Sequence, residues 1–211
     1  MNVPRVGGAW SRYALPFLIE KACRSAGILE ERKRCVPRAS GRTLEIGVGT
    51  GLNLGLYDRE RVTQLLAIDP SPSILAKARE RIAECHVPVE LQEASAEALP
   101  FDAGSFESVV MTYSLCSVDE PLRALREIRR VLRSDGRLLF VEHGLARARS
   151  TRAWQRGLTP LWKRVSGNCH LDRDVPAELR EAGLRVEELD ESTGDGWSVS
   201  GYTYEGIAVP T

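Results

Sequence analysis

"LEIGVGTGLN", residues 44–53, sets a short apolar run against three glycines, at 47, 49 and 51. Leu44 and Ile46 alternate as a buried strand does. The glycines strip side chains from the turn that follows, so that a ligand can approach the backbone closely. Such a turn suits an adenosine-bearing cofactor, either a dinucleotide or a different nucleoside. The dinucleotide fingerprint G-x-G-x-x-G would place its third glycine at position 52. Position 52 is Leu, the third glycine stands one residue early, and Glu45 precedes the first glycine by two.

Outward from this turn the chain alternates short apolar runs with helix-patterned segments, as a parallel sheet covered on both faces requires. "RTLEIG" reads as the first strand and "TQLLAID" as the second, with a helix from about Gly51 between them. "SPSILAKARERIAECH" reads as a helix with Ser71 as N-cap, Pro72 at its start, and Ile74, Leu75, Ala78 and Ile82 on one stripe. "VPVELQEA", "SFESVVMTYSL" and "GRLLFVEHG" read as strands three to five. The helix before the fifth is amphipathic through Leu122, Leu125, Ile128 and Leu132 and is ended by Gly136. A helix and two closing strands follow, "VPAELREAGLRVEELDE" and "GYTYEGIAV", and the two strands are expected to pair antiparallel. Leu15, Leu18, Ile19, Ala22, Ala26 and Leu29 place another helix over residues 13–30, where Tyr13 and Phe17 are candidates to close over a ligand.

The expected fold is therefore α/β, Rossmann-like, with a seven-stranded sheet that is mostly parallel, an antiparallel last strand, and helices on both faces. No repeat or linker divides it. Residues 1–211 are expected to form one domain: an N-terminal helical extension at 1–40, a cofactor-binding core at 41–143, and an acceptor-side loop with C-terminal strands at 144–211.

The 211 residues hold 29 basic and 29 acidic side chains, and 43% are hydrophobic. That supplies a full core and leaves no net field to attract nucleic acid. Five cysteines without a CxxC pair argue against both a disulfide framework and a zinc site, so no metal is expected and a reducing cytoplasm is the expected setting. "ALPFLI", residues 14–19, is stopped by Glu20 and Lys21, too short for a membrane span. Peripheral membrane contact stays open, with "ERKR" at 31–34 as the cationic stretch that hints at it. The arginines at 123, 126, 129, 130 and 133 read as a solvated helix face.

The spacing E-I-G-V-G-T-G resembles motif I of class I S-adenosylmethionine-dependent methyltransferases. "LLAIDPS", "EASAEALPF", "DAGSFESVV" and "EIRRVLRSDGRLLFVEH" resemble the segments that follow it in the ubiquinone-methyltransferase-like branch. "LCSVDEPLRALREIRRVL", "FVEHG", "WQRGLTPLW" and "GNCHLDRD" are similar to a methyltransferase-like group that includes the mammalian thiol S-methyltransferases and bacterial relatives. Mammalian members begin with a membrane anchor, which is not expected here.

The resemblance implies S-adenosyl-L-methionine as cofactor. It implies that Gly47, Gly49 and Gly51 admit the methionine and ribose, and that Glu45 helps hold the ammonium group directly or through water. Asp69 would grip the ribose hydroxyls, an assignment its place at a strand end about twenty residues past the glycines also supports. Pro70 and Ser71 would line the adenine. Ser95 stands where many relatives carry an acid, so that contact falls to its hydroxyl or to the Ala96 backbone.

On the acceptor side, His143 closes the fifth strand and is the best candidate base, because a neutral imidazole accepts a proton near pH 7. His170 and Asp172, with Arg173, are either further catalytic groups or a polar cluster that anchors their loop. Cys116 reads as a small buried hydrophobe. Trp154 and Trp162 read as core, with an acceptor wall as the alternative. The expected activity is methyl transfer to a small-molecule acceptor, first a thiol. The alternatives are a phospholipid or other amine, a quinone or phenol, and a cofactor-binding regulatory protein without turnover.

Overall fold

The computed structural model describes residues 24–166, 168–193 and 202–211. Seven strands form one sheet in the order β3-β2-β1-β4-β5-β7-β6. They are β1 (Gly41–Ile46), β2 (Val62–Asp69), β3 (Val89–Glu93), β4 (Phe106–Thr112), β5 (Leu132–His143), β6 (Leu184–Thr193) and β7 (Tyr202–Pro210). The first five are mutually parallel. β7 runs antiparallel to both β5 and β6. Leu44, Ile46, Leu65, Ile68, Val109, Met111, Leu138 and Phe140 are all nearly inaccessible, as central parallel strands covered on two faces must be.

Five helices are described: α1 (Ala26–Cys35), α2 (Pro72–Glu80), α3 (Pro121–Val131), α4 (Arg149–Val165) and α5 (Val175–Glu181). α3 buries Ala124, Leu125, Ile128 and Val131 against one face of the sheet. Each large member of that stripe contributes roughly 2 kcal/mol. The helix ends earlier than Gly136 would have it. Leu132 turns extended and opens β5, and Gly136 lies within that strand.

Three other expectations change. Between β1 and β2 there is no α-helix, only turns and a single 3-10 turn at Leu54–Leu56. The Asn53 side chain is drawn inward to Glu45 and Thr112 there, and Gly55 favours no helix. The helix after Ser71 stops at Glu80. Ser71 makes no side-chain cap, its hydroxyl meeting Ser73 instead. The N-terminal helix runs on to Cys35, with Leu29 only half-buried and Ala26 exposed. Its buried positions are Glu31, Arg32 and Cys35. Leu15, Leu18, Ile19, Ala22, Tyr13 and Phe17 lie outside the described residues.

Candidate functional site

In the strand order the direction of winding reverses between β1 and β4, and ligands of open α/β sheets bind in the crevice outside the carboxyl ends at such a point. The glycine turn follows β1, and the loop 113–117 follows β4. Ser114 ties the two together, its hydroxyl lying 3.0 Å from the Ile46 carbonyl.

The three glycines have left-handed backbones but separate duties. A Cβ on Gly47 would stand 2.4 Å from Ser114 Oγ, so Gly47 admits the β4 loop. A Cβ on Gly51 would stand 2.9 Å from Leu54 and 3.4 Å from the α2 backbone at Ala78. Gly49 alone of the three faces space, its nearest neighbour being a turn carbonyl at 3.9 Å. The open backbone is thus centred on Gly49.

Asp69, at the end of β2, accepts from the Gly49 amide at 3.2 Å and the Ser71 amide at 2.9 Å. Burial pushes its carboxyl up while these two amides pull it down. A carboxylate has about four acceptor positions, so two amides leave capacity for hydroxyl donors. Pro70 is exposed and Ser71 half-buried beside it. Beyond β3, the Ser95 hydroxyl accepts from the Glu97 amide at 3.2 Å, and Ala96 is buried. Gly49, Asp69 and the polar turn after β2 form a donor and acceptor set suited to an adenosine.

Glu45, at the end of β1, is held by donors of the turn itself. It is 1% exposed; Asn53 Nδ2 donates to Oε1 at 2.9 Å and the Tyr57 hydroxyl to Oε2 at 2.8 Å. Burial raises its carboxyl, opposed by those donors and by the Arg32 guanidinium. Arg32 Nη1 in turn donates to Asn53 Oδ1 at 2.8 Å and Thr112 Oγ1 at 2.6 Å. A helix cation thus braces the underside of the glycine turn, so that of the cations in "ERKR" only Lys33 and Arg34 stand outward. Lys33 and Arg34 of the same run pair with Glu30 and Glu205.

At the ends of β4 and β5, Tyr113 adopts φ 55° and packs edge-on against His143 at 4.7 Å between ring centres. The Tyr113 hydroxyl donates to Glu31, whose other oxygen accepts from Thr203 at 2.8 Å and Ser192 at 3.1 Å. Burial holds His143 down at about 4, and its Nδ1 is buried without a partner among the described residues. The imidazole is neutral at pH 7 but a weak proton acceptor. Beside it Glu142 is fully buried and accepts from the amides of Ser114 at 2.7 Å, Leu115 at 2.9 Å and Cys116 at 3.4 Å. Burial lifts its carboxyl to about 7 against those three donors.

The 168–173 segment docks on the same loop. The His170 amide donates to the Cys116 carbonyl at 2.8 Å, Asn168 Nδ2 to the Ser117 carbonyl at 3.0 Å, and the buried Arg173 to the Val118 carbonyl. The His170 ring lies 3.9 Å from Asp172, and burial, followed by the Arg173 and Lys163 charges, lowers its pKa. Cys116 is buried as expected, and Cys169 stands beside it. That contact, then burial, raises the Cys116 thiol. Trp154 is 72% exposed, which corrects its reading as core.

Arg32, Asn53, Tyr57 and Glu142 were not among the residues singled out from the sequence. Glu142 carries a signal there, an acid set inside the apolar run "LLFVEH". Arg32 carries none, since a basic residue in "ERKR" reads as solvated.

Among the described residues, no helix is long and apolar enough to cross a membrane, and no group of three His, Cys, Asp or Glu side chains is placed to hold a metal. Two clefts of about 310 and 350 Å³ are lined by Arg185 and residues near the end of β7, away from the glycine turn.

Sheet order and glycine crevice together define the α/β methyltransferase fold. Residues 44–140 match a family model described as a methyltransferase domain. A phosphatidylethanolamine N-methyltransferase of Cereibacter sphaeroides is 37% identical over 149 residues, 68% of this chain and 70% of the relative. A thiol S-methyltransferase, TMT1B of Rattus norvegicus, is 32% identical over 152 residues, 70% of this chain and 61% of the relative. The chain thus spans about three fifths of that relative's length. A crystal structure of a methyltransferase from Bacillus halodurans C-125, itself described as putative, superposes with a TM-score of 0.67 at 19% identity, covering 88% of this chain and all of that one. The chain belongs to the methyltransferase family, whose members with this fold depend on S-adenosylmethionine.

Proposed function

We propose that this chain transfers a methyl group from S-adenosylmethionine to a small-molecule acceptor, and that the acceptor is a thiol. The cofactor supplies a methyl on a sulfonium, so the protein's task is alignment rather than activation of a leaving group. Gly49 gives the methionine and ribose access to the backbone, and Asp69 accepts from the ribose hydroxyls. Pro70, Ser71, Ser95 and Ala96 line the adenine. Gly47 and Gly51 shape the turn, and Glu45 acts through Asn53 and Tyr57 rather than by touching the ammonium group. Residues 41–143 form the cofactor half of one domain and 144–211 the acceptor side.

The carrying observation is the state of the carboxylates near the acceptor edge. Glu142 is consumed by three backbone amides and Glu31 by three hydroxyls. Neither of these two carboxylates is left free to hold the cation that an amine acceptor becomes, whereas a thioether product is neutral; among the described residues Asp172, beside His170, is the acid that remains on this side. Tyr113 and neutral His143 offer an apolar wall with one accepting nitrogen. With its imidazole held near 4, His143 positions a thiol hydrogen more than it removes one, and the thiolate arises by the acceptor's own ionisation. His170 and Asp172 order the loop that closes this side. A lipid amine is the second reading, supported by the 37% identical relative. The free cysteines described, Cys35, Cys85, Cys116 and Cys169, are compatible with the cytoplasm as the proposed setting.

Incubating the purified chain with methyl-labelled cofactor and a panel of thiols, amines, phenols and phospholipids tests the proposal. The expected product is a methyl thioether, formed at a rate that rises with the acceptor's thiolate fraction. Label carried only by an amine or a phospholipid would overturn the thiol assignment. Asp69→Ala should weaken cofactor binding by about 10- to 100-fold, the loss of about one charge-assisted hydrogen bond. Calorimetry reads this directly.

A further inference from the structure

Between Glu142 and Asp172 the chain contains no Asp or Glu, yet it carries Arg147, Arg149, Arg152, Arg156, Lys163 and Arg164. In a protein whose charges balance overall, this is a strong local excess, and α4 holds five of the six cations. The helix is fastened to the body along one stripe. Gln155 is 1% exposed; it accepts from the Ala146 amide at 2.8 Å and donates to the Gly144 carbonyl at 3.0 Å. Thr159, one turn on, is buried as well.

At about 100° per residue, the rest of the helix surface divides into two flanks. Trp154 and Leu161, seven residues apart, fall on one side of the buried stripe and stand 72% and 60% exposed. Arg149, Arg152, Arg156 and Lys163 fall on the other, and Arg164 lies on the outer face between. Arg147, just ahead of the helix, pairs with Glu191. Among the described residues, the five cations of α4 have no acidic partner.

We propose that α4 docks on a bilayer surface carrying anionic headgroups. Trp154 and Leu161 enter the boundary between headgroup and acyl chain, and the exposed Arg149, Arg156 and Arg164 pair with the lipid phosphates. Charge complementarity selects this occupant. A second copy packed α4 to α4 would set one cationic flank against another, and a neutral apolar partner would leave five cations unmatched. A nucleic acid would match the cations but press Trp154 and Leu161 against phosphate. An anionic membrane satisfies both flanks at once. Through the 168–173 loop, α4 joins the acceptor edge, so docking would bring that edge to the lipid phase. The inference stands whether the acceptor is a thiol or not.

The full chain, co-sedimented with phosphatidylcholine vesicles with and without phosphatidylglycerol, tests it. Each cation brought to an anionic surface is worth about fivefold in partitioning, so Arg156→Gln with Arg164→Gln should weaken binding to the mixed vesicles by about 25-fold. Wild-type binding should fall as salt rises. Trp154→Ser with Leu161→Ser should weaken binding at least tenfold, and the blue shift of tryptophan emission seen with wild type should be lost in Trp154→Ser.

Equal binding to both vesicle types, full binding by either double variant, or a blue shift retained in Trp154→Ser would each overturn the proposal. So would binding to duplex DNA, indifferent to Trp154→Ser with Leu161→Ser, in place of vesicle binding. Turnover of a water-soluble acceptor by that apolar variant should equal wild type, which separates a failure of docking from a failure of methyl transfer.

Discussion

The glycines of the turn after β1 make different demands on the chain, and single substitutions separate them. Gly47→Ala adds strain from a positive φ and a Cβ within 2.4 Å of Ser114 Oγ. It should cost about 2 to 4 kcal/mol of stability in denaturant unfolding. Ser114→Gly in the same chain should recover part of that loss, because the clash is with the serine side chain. Gly49→Ala meets no such neighbour, and its cost to folding should be confined to about 1 to 2 kcal/mol of backbone strain. Its Cβ would instead occupy ligand space, so calorimetry should show cofactor affinity falling more than stability does. The spacing of the glycines was legible as a cofactor turn, and Asp69 as its acidic partner. The division of labour was not, because what a glycine makes room for comes from Ser114, Leu54 and Ala78, which are distant or unremarkable in sequence. The partners of the Glu45 carboxylate were hidden for the same reason: Asn53 and Tyr57 face it only once the turn has folded back.

At the level of elements, the strands were the most legible part of the chain and the N-terminal helix the least. Central parallel strands announce themselves as unbroken apolar runs, and the antiparallel closing pair followed from the lack of a crossover helix between them. α1 breaks the ordinary rule, because it buries Glu31 and Arg32 and leaves Ala26 exposed. Those charges are tolerated because Tyr113, Ser192 and Thr203 donate to Glu31 and because Arg32 Nη1 donates to Asn53 and Thr112, although Arg32 Nε is buried without a partner among the described residues. Arg32→Ala should therefore be costly, leaving Glu45 without its cation and Asn53 and Thr112 without a donor. A loss of about 3 to 5 kcal/mol is expected, the range for stripping one partner from a buried pair. Arg32→Ala with Glu45→Gln should be less destabilised than Arg32→Ala alone, since the uncompensated carboxylate is then gone. Chemical denaturation of both variants checks this, and equal midpoints would show that Glu45 does not depend on Arg32.

The whole molecule's response to pH is shaped by two adjacent residues that pull in opposite directions. Glu142 has a folded pKa of about 7 against an ordinary 4.5, so between these values the native state binds more protons than the unfolded chain does. Its contribution therefore falls as pH rises through that window. His143 has a folded pKa of about 4 against an ordinary 6.5, so the unfolded chain binds more protons and its contribution rises between pH 4 and 6.5. Each effect amounts to roughly 3 kcal/mol across its window, and over their shared span they largely cancel. Substituting one residue should unmask the other. Relative to wild type, Glu142→Gln should gain stability as pH increases from 4.5 to 7, although it starts lower, because the amide serves the Ser114, Leu115 and Cys116 donors less well than a carboxylate. His143→Gln should lose stability relative to wild type from pH 4 to 6.5 and run parallel to it above pH 7. Urea unfolding at a series of pH values measures both difference curves, in which the other titrating groups drop out. Two curves with the same sign of slope would mean that Glu142 or His143 is not buried in the way its neighbours imply.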